Sequence, residues 1–173
     1  MVSLGKEEAG LLGSYLNEIG WNDETNREGH AAKVYFNALF GLSFTRTSDC
    51  LINTALNYGY SIILSAFTRE ITASGYITQL GLFHDNMFNH FNLASDLMEP
   101  FRILIDREVN RMVFEEFTHT EKMRLVNVLN QEVLIDGKKQ YVNNAIKIYC
   151  KSIFDALNEN DSALIRFYKL NEL

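Results

Sequence analysis

Apolar positions recur three and four residues apart along almost the whole chain, the spacing of one buried helix face. Leu11, Leu12, Tyr15 and Ile19 carry that spacing and predict an amphipathic helix over 4–19. A second helix is expected from about 25 to 40, capped by Asp23 or Thr25 and ended by Gly41. Its apolar set is Ala31, Val34, Tyr35, Ala38 and Leu39. A third is predicted from 48 to 74, with Ser48 as cap and Gly75 as stop. It is apolar nearly all round (Leu51, Ile52, Leu56, Ile62, Ile63, Phe67, Ile71), which places it in the middle of a bundle. Ala55, Gly59 and Ala66 would let neighbouring helices come close.

The helical period fades over 75–91, where Gly and Asn breakers surround Phe83, Phe88 and Phe91. An ordered loop with room for one helical turn is expected there. Helices are predicted again from Asn92 to about 116, interrupted at Pro100, and from Thr120 to about Gln131. Val133 to Tyr141 alternates around Asp136-Gly137, a hairpin signal. Helices over 143–158 and 161–169 complete the chain. The pattern predicts an all-α protein, mainly a helical bundle with one small β-hairpin near 132–142. At about 150 residues per domain, 1–173 is expected to be a single domain.

Composition narrows this picture. The chain has one proline, where usage of about 5% would give eight or nine, and 21 aromatics. Long disordered linkers are disfavoured. No apolar run reaches the roughly 18 residues that span a bilayer, and no signal peptide is recognisable, so no membrane association is expected. Cys50 and Cys150 are too few for a disulfide scaffold and suit a reducing cytosol. The net charge of −6 argues against coating nucleic acid non-specifically. Its distribution qualifies that argument. Residues 1–25 hold one Lys or Arg against five Asp or Glu, whereas 26–107 hold six against seven and 108–173 nine against ten. Most of the chain is nearly neutral and can carry a local basic face.

Several chemistries lack their residues. There is no GxxxxGK[ST] phosphate loop, no GxGxxG and no GxSxG elbow. Glu116-x-x-His119 has di-metal spacing, but that chemistry needs two such pairs and two further glutamates. His84-Asp85 with an upstream His30 fits an HD-type metal phosphohydrolase as one alternative. A further constellation is Glu28, His84, Asp96 and Glu99. Asp96 and Glu99 share a helix face, and Pro100 can bend the helix beside them. Two glutamates and a histidine from three elements make a mixed N/O site suited to Mn²⁺ or Mg²⁺. Surface carboxylates around a hydrogen-bonded loop histidine are the competing reading.

At these residues the sequence resembles the CRISPR-associated integrase family, the catalytic subunit of spacer acquisition, in its type II-A branch. Three segments carry the resemblance: Asn26-Arg-Glu28-Gly to Phe36, Ala55-Leu-Asn-Tyr58-Gly-Tyr-Ser-Ile62, and Gly75 to Arg102 with Gly81-Leu-Phe-His84 and Asp96-Leu-Met-Glu99-Pro-Phe-Arg102. The match runs from about 10 to about 155. Family members begin with a β-rich domain that carries much of the dimer interface. This chain begins in helix, and it is expected to be the carboxy-terminal catalytic domain only.

The resemblance implies Glu28, His84 and Glu99 as catalytic ligands of Mg²⁺ or Mn²⁺. Asp96 would orient His84 or a metal-bound water; equally, it could be a helix N-terminal acid favoured by the dipole. The implied reaction joins the 3′-hydroxyl of captured DNA to a phosphodiester at the edge of a CRISPR repeat, by transesterification without ATP. Neutral His84 would ligate, so protons compete with the metal for it. Arg102, Arg27, Arg69 and Lys33 are candidate contacts to DNA phosphates, Arg102 first. Tyr58 would line the site or simply pack. The implied partners are double-stranded DNA, a second copy in a homodimer, and a second, small CRISPR adaptation protein, all in the bacterial cytoplasm. A non-catalytic helical interaction module remains an alternative.

Overall fold

The structure, a computed structural model, describes residues 10–15, 25–113 and 115–170. The chain divides into two units, Met1–Asn53 and Thr54–Leu173.

In the first unit, α1 runs through residues 10–15; the rest of the helix expected over 4–19 lies outside the described residues. Helix α2 spans Arg27–Phe40 and ends at Gly41, whose φ of 96° no other residue type adopts readily. The residue before it is Asn26, in a left-handed conformation with no side-chain cap. Thr25 therefore does not cap the helix, and Asp23 lies outside the described residues. Phe36, Phe40 and Phe44 pack ring to ring, with the Phe40 and Phe44 centroids 5.0 Å apart. Asn53, 4% exposed, closes the turn after them: its amide donates to the Thr45 and Ser48 carbonyls at 2.8 Å each.

Helix α3 spans Leu51–Ala73 and enters the second unit at Thr54. It starts three residues later than Ser48, whose hydroxyl instead donates to the Thr45 carbonyl. One side of it is fully buried, through Leu56, Ile63, Phe67 and Ile71, whereas Leu51 is exposed and Ile52 and Ile62 are only part-buried, so the helix is not enclosed all round as the pattern predicts. Phe67 meets Phe101 edge-on at 5.2 Å and Tyr149 at 6.1 Å. Burial of these large rings is the main driving force for the unit.

Beyond the 75–91 loop come α4 (Asn92–Met98), a 3₁₀ turn (Glu99–Phe101) and α5 (Arg102–Asn110). The interruption falls at Pro100, which has no N–H to give the Asp96 carbonyl. Glu99 N–H takes that carbonyl instead, tightening the turn to 3₁₀. Helix α5 passes close to α3 because position 59 is glycine: a Cβ there would lie 2.4 Å from Ile105 Cγ2. The helix ends at Asn110 rather than near 116, and Phe117 reaches Tyr58 edge-on at 5.6 Å.

Helix α6 spans His119–Val126, followed by a 3₁₀ turn (Asn127–Asn130). The expected hairpin is present as β1 (Glu132–Ile135) and β2 (Lys138–Tyr141), with Ile135 opposite Lys138. Asp136 and Gly137, at φ 54° and 71°, make the two left-handed residues of its turn. Helix α7 spans Val142–Glu159. The helix expected over 161–169 does not form. Asn160 stops α7 at a φ of 52°, and Asp161 accepts the Ala163 N–H to hold a short 3₁₀ turn, Ser162–Leu164. The chain then extends so that Phe167 and Tyr168 can pack on Tyr149 and Phe101, and β3 (Lys169–Leu170) pairs with β1. The hairpin is thus a three-stranded sheet, ordered β2-β1-β3. Among the described residues no helix is long and apolar enough to cross a membrane.

Candidate active site

The loop before α4 is fixed by two buried polar side chains. Thr78 Oγ1 donates to the His90 carbonyl at 2.7 Å. Asn92 Nδ2 donates to the Gln79 and Asn86 carbonyls, both at 3.0 Å. Buried backbone carbonyls need such partners, so these bonds set the loop's path without helix or strand. The loop holds no helical turn.

Within that loop, Asp96 of α4 organises His84. Its Oδ2 accepts from the backbone N–H of Leu82 (2.6 Å) and Phe83 (3.1 Å), and its Oδ1 from that of His84 (3.1 Å). The same Oδ1 lies 2.5 Å from His84 Nδ1. The Asp96 side chain is 8% exposed. Burial raises its pKa, but the His84 ring and the three backbone N–H groups outweigh this and hold it below the ordinary 3.8. An ionised carboxylate can only accept, so Nδ1 of His84 carries the proton and donates. In the neutral ring this leaves Nε2 as the lone-pair nitrogen, on a side chain 42% exposed. Position 81 must be glycine for this to fit: a Cβ there would lie 2.2 Å from the His84 carbonyl and 2.8 Å from Asp96 Oδ2. The Gly81-x-x-His84 spacing was the available signal for it. Asp85, by contrast, is exposed while the His84 ring turns to Asp96.

Glu99 opens the 3₁₀ turn three residues beyond Asp96 and is paired with Arg102, Nη1 to Oε1 at 3.1 Å. Arg102 lies over the Tyr60 ring of α3 at 5.2 Å. The Tyr60 hydroxyl donates to Asp106 at 2.5 Å, and Asp106 is 3% exposed. Sequence reasoning did not single out Tyr60 or Asp106.

Glu28 belongs to the first unit, in the first turn of α2 and exposed. Lys33 is exposed on the same helix, and the Arg27 guanidinium lies over Tyr15 at 5.9 Å. Arg69 is committed within the second unit, donating to Asn143 Oδ1 of α7 at 2.6 Å and to Glu70. Tyr58 packs on Phe117. Among the described residues, no three His, Cys, Asp or Glu side chains gather closely enough to hold a metal ion. Within the second unit, the donors that an ion could use are one imidazole nitrogen, already oriented through Nδ1, and the carboxylate of Glu99. That chemistry fits an oxygen-preferring divalent cation, with Asp96 as the carboxylate behind the histidine.

Comparison with known proteins identifies the family. The family model described as "CRISPR associated protein Cas1" matches residues 24–136. A CRISPR-associated endonuclease Cas1 of Neisseria meningitidis is 38% identical over 130 residues, covering 72% of this chain and 43% of that protein. Its counterpart in Francisella tularensis subsp. novicida is 31% identical over 144 residues, covering 76% and 45%. The chain therefore spans less than half the length of these relatives. Among solved structures, a casposase bound to integration product aligns with TM-score 0.65 and 23% identity over 80% of this chain and 51% of its own. A Cas6-RT-Cas1–Cas2 complex aligns with TM-score 0.69 and 18% identity, over 96% of this chain and 22% of that one. These two likenesses show a shared fold. The family match over residues 24–136 and the 38% identity to the Neisseria meningitidis protein lead to one conclusion: this chain belongs to the CRISPR-associated Cas1 family.

Proposed function

We propose that this chain supplies the catalytic residues of a divalent-metal-dependent DNA integrase and endonuclease of CRISPR adaptation. The observation that carries the proposal is the Asp96–His84 pair, which fixes the histidine tautomer and leaves Nε2 as the lone-pair nitrogen of a part-exposed ring, with Asp96 three residues before Glu99. The relatives' description as endonucleases, and a structural neighbour captured with an integration product, support the reaction class.

His84, Glu99 and Glu28 would hold Mg²⁺ or Mn²⁺. When bound, such an ion polarises the scissile phosphate and offsets charge on the attacking or leaving oxygen. The 3′-hydroxyl of the captured DNA attacks phosphorus as the bond to the old 3′-oxygen breaks. One phosphodiester replaces another, and no nucleotide fuel is consumed. Asp96 keeps the proton on Nδ1 and the ring in place. Arg102, paired with Glu99, would be the first contact to a DNA phosphate, and Arg27 and Lys33 of α2 are further candidates. Double-stranded DNA, a second copy of the protein and a small Cas2-type subunit are the proposed partners; the neighbour in a Cas1–Cas2 complex supports the last.

Strand transfer into a duplex carrying a CRISPR repeat, with Mn²⁺ or Mg²⁺, tests this. Glu28→Ala, His84→Ala and Glu99→Ala are each expected to lower the rate at least about 100-fold. Robust metal-dependent joining by folded Glu99→Ala protein would overturn the assignment.

A further inference from the structure

We infer that Tyr60 and Asp106 are positioning residues for Arg102, and that through Arg102 they set how the site grips a DNA phosphate. The inference rests on the reading of Arg102 as a phosphate contact. Four observations carry it. The Arg102 guanidinium lies over the face of Tyr60 at 5.2 Å. At one end Nη1 meets Glu99 at 3.1 Å. Arg102 Nε is buried and has no hydrogen-bond partner, so its hold on the guanidinium comes from the aromatic face and from Glu99. The Tyr60 ring is itself tethered, its hydroxyl donating at 2.5 Å to Asp106, a carboxylate 3% exposed.

Asp106 is on α5, one helical turn past Arg102, and Tyr60 is on α3. Gly59 permits that close approach, since any side chain at 59 would meet Ile105. The two helices are therefore held at a spacing that puts the Tyr60 ring under the guanidinium. A buried carboxylate is costly unless it is hydrogen-bonded, and aliphatic packing would be the cheaper choice for stability alone. Orienting a long, flexible arginine is a role that would justify it. A guanidinium already fixed on an aromatic face loses less conformational freedom when it takes a phosphate.

Binding of labelled duplex DNA in metal-free buffer tests the inference, measured at several salt concentrations. Arg102→Ala is expected to weaken binding about 5- to 20-fold and to lower the slope of log affinity against log salt by about one. The Tyr60→Phe/Asp106→Asn double variant retains the ring and its volume but removes the tether. It is expected to weaken binding about 3-fold and to lower the slope in the same direction. In the Arg102→Ala background it is expected to add nothing, because its effect passes through Arg102. An equal loss in both backgrounds would show a merely structural role and overturn the inference, leaving Arg102 as a phosphate contact. Unchanged binding by Arg102→Ala would overturn the phosphate reading and the inference with it. Melting curves exclude loss of fold; should the double variant unfold, Tyr60→Phe alone carries the same comparison.

Discussion

Asp96 shows how one carboxylate can do two jobs. It closes the 82–84 backbone by taking three N–H groups, and it selects the His84 tautomer. Both depend on its ionised form. Its pKa lies below 3.8 in the folded protein, so its contribution to stability is fully present above that ordinary value. The contribution is lost as pH falls from there through the depressed folded value. Urea unfolding at neutral pH is expected to show Asp96→Asn destabilised by about 1.5–3 kcal/mol, as for hydrogen bonds to a charged group. The gap to the natural protein should narrow on acidification below pH 4. A gap independent of pH would mean that Asp96 is not ionised in the fold. Sequence alone left Asp96 poised between orienting the histidine and serving the helix dipole. The loop that delivers three backbone donors to it has no periodic signature, which is why only coordinates separate the two.

At the scale of elements, spacing and breakers carried most of the information. Gly41, Gly75, Pro100 and Asp136-Gly137 each act where they stand in the chain: two helix ends, one 3₁₀ interruption and one tight turn. What the pattern misjudged are segments governed by distant partners. Residues 161–170 read as helical but extend, because Phe167 and Tyr168 find aromatic partners at Tyr149 and Phe101 and β1 offers a free edge. The start of α6 carries its own local signal: Thr118-x-x-Glu121 is a capping-box spacing, and Thr118 N–H donates to Glu121 at 2.8 Å, so the helix begins at His119 rather than Thr120. The α3–α5 contact gives a sharp prediction. Gly59→Ala would force a methyl into Ile105 and is expected to cost about 1–3 kcal/mol by urea unfolding. In an Ile105→Ala background the added cost should largely vanish. Equal costs in both would show that the helices are free to separate.

For the whole molecule, the near-neutral stretch from 26 to 107 mattered more than the net charge of −6. It contains every proposed metal donor and all of the candidate phosphate contacts. The residue types and their order were readable because family motifs place them; the contacts that orient them, Gly81 against Asp96 and Tyr60 beneath Arg102, were not. The central claim is that Glu28, His84 and Glu99 together hold one divalent cation. Calorimetric titration of the protein with Mn²⁺ at neutral pH tests it most directly. The account predicts a single site, weakened at least about 10-fold by each of Glu28→Ala, His84→Ala and Glu99→Ala, and weakened also by Asp96→Asn. Mn²⁺ affinity unchanged in the folded single variants would contradict it.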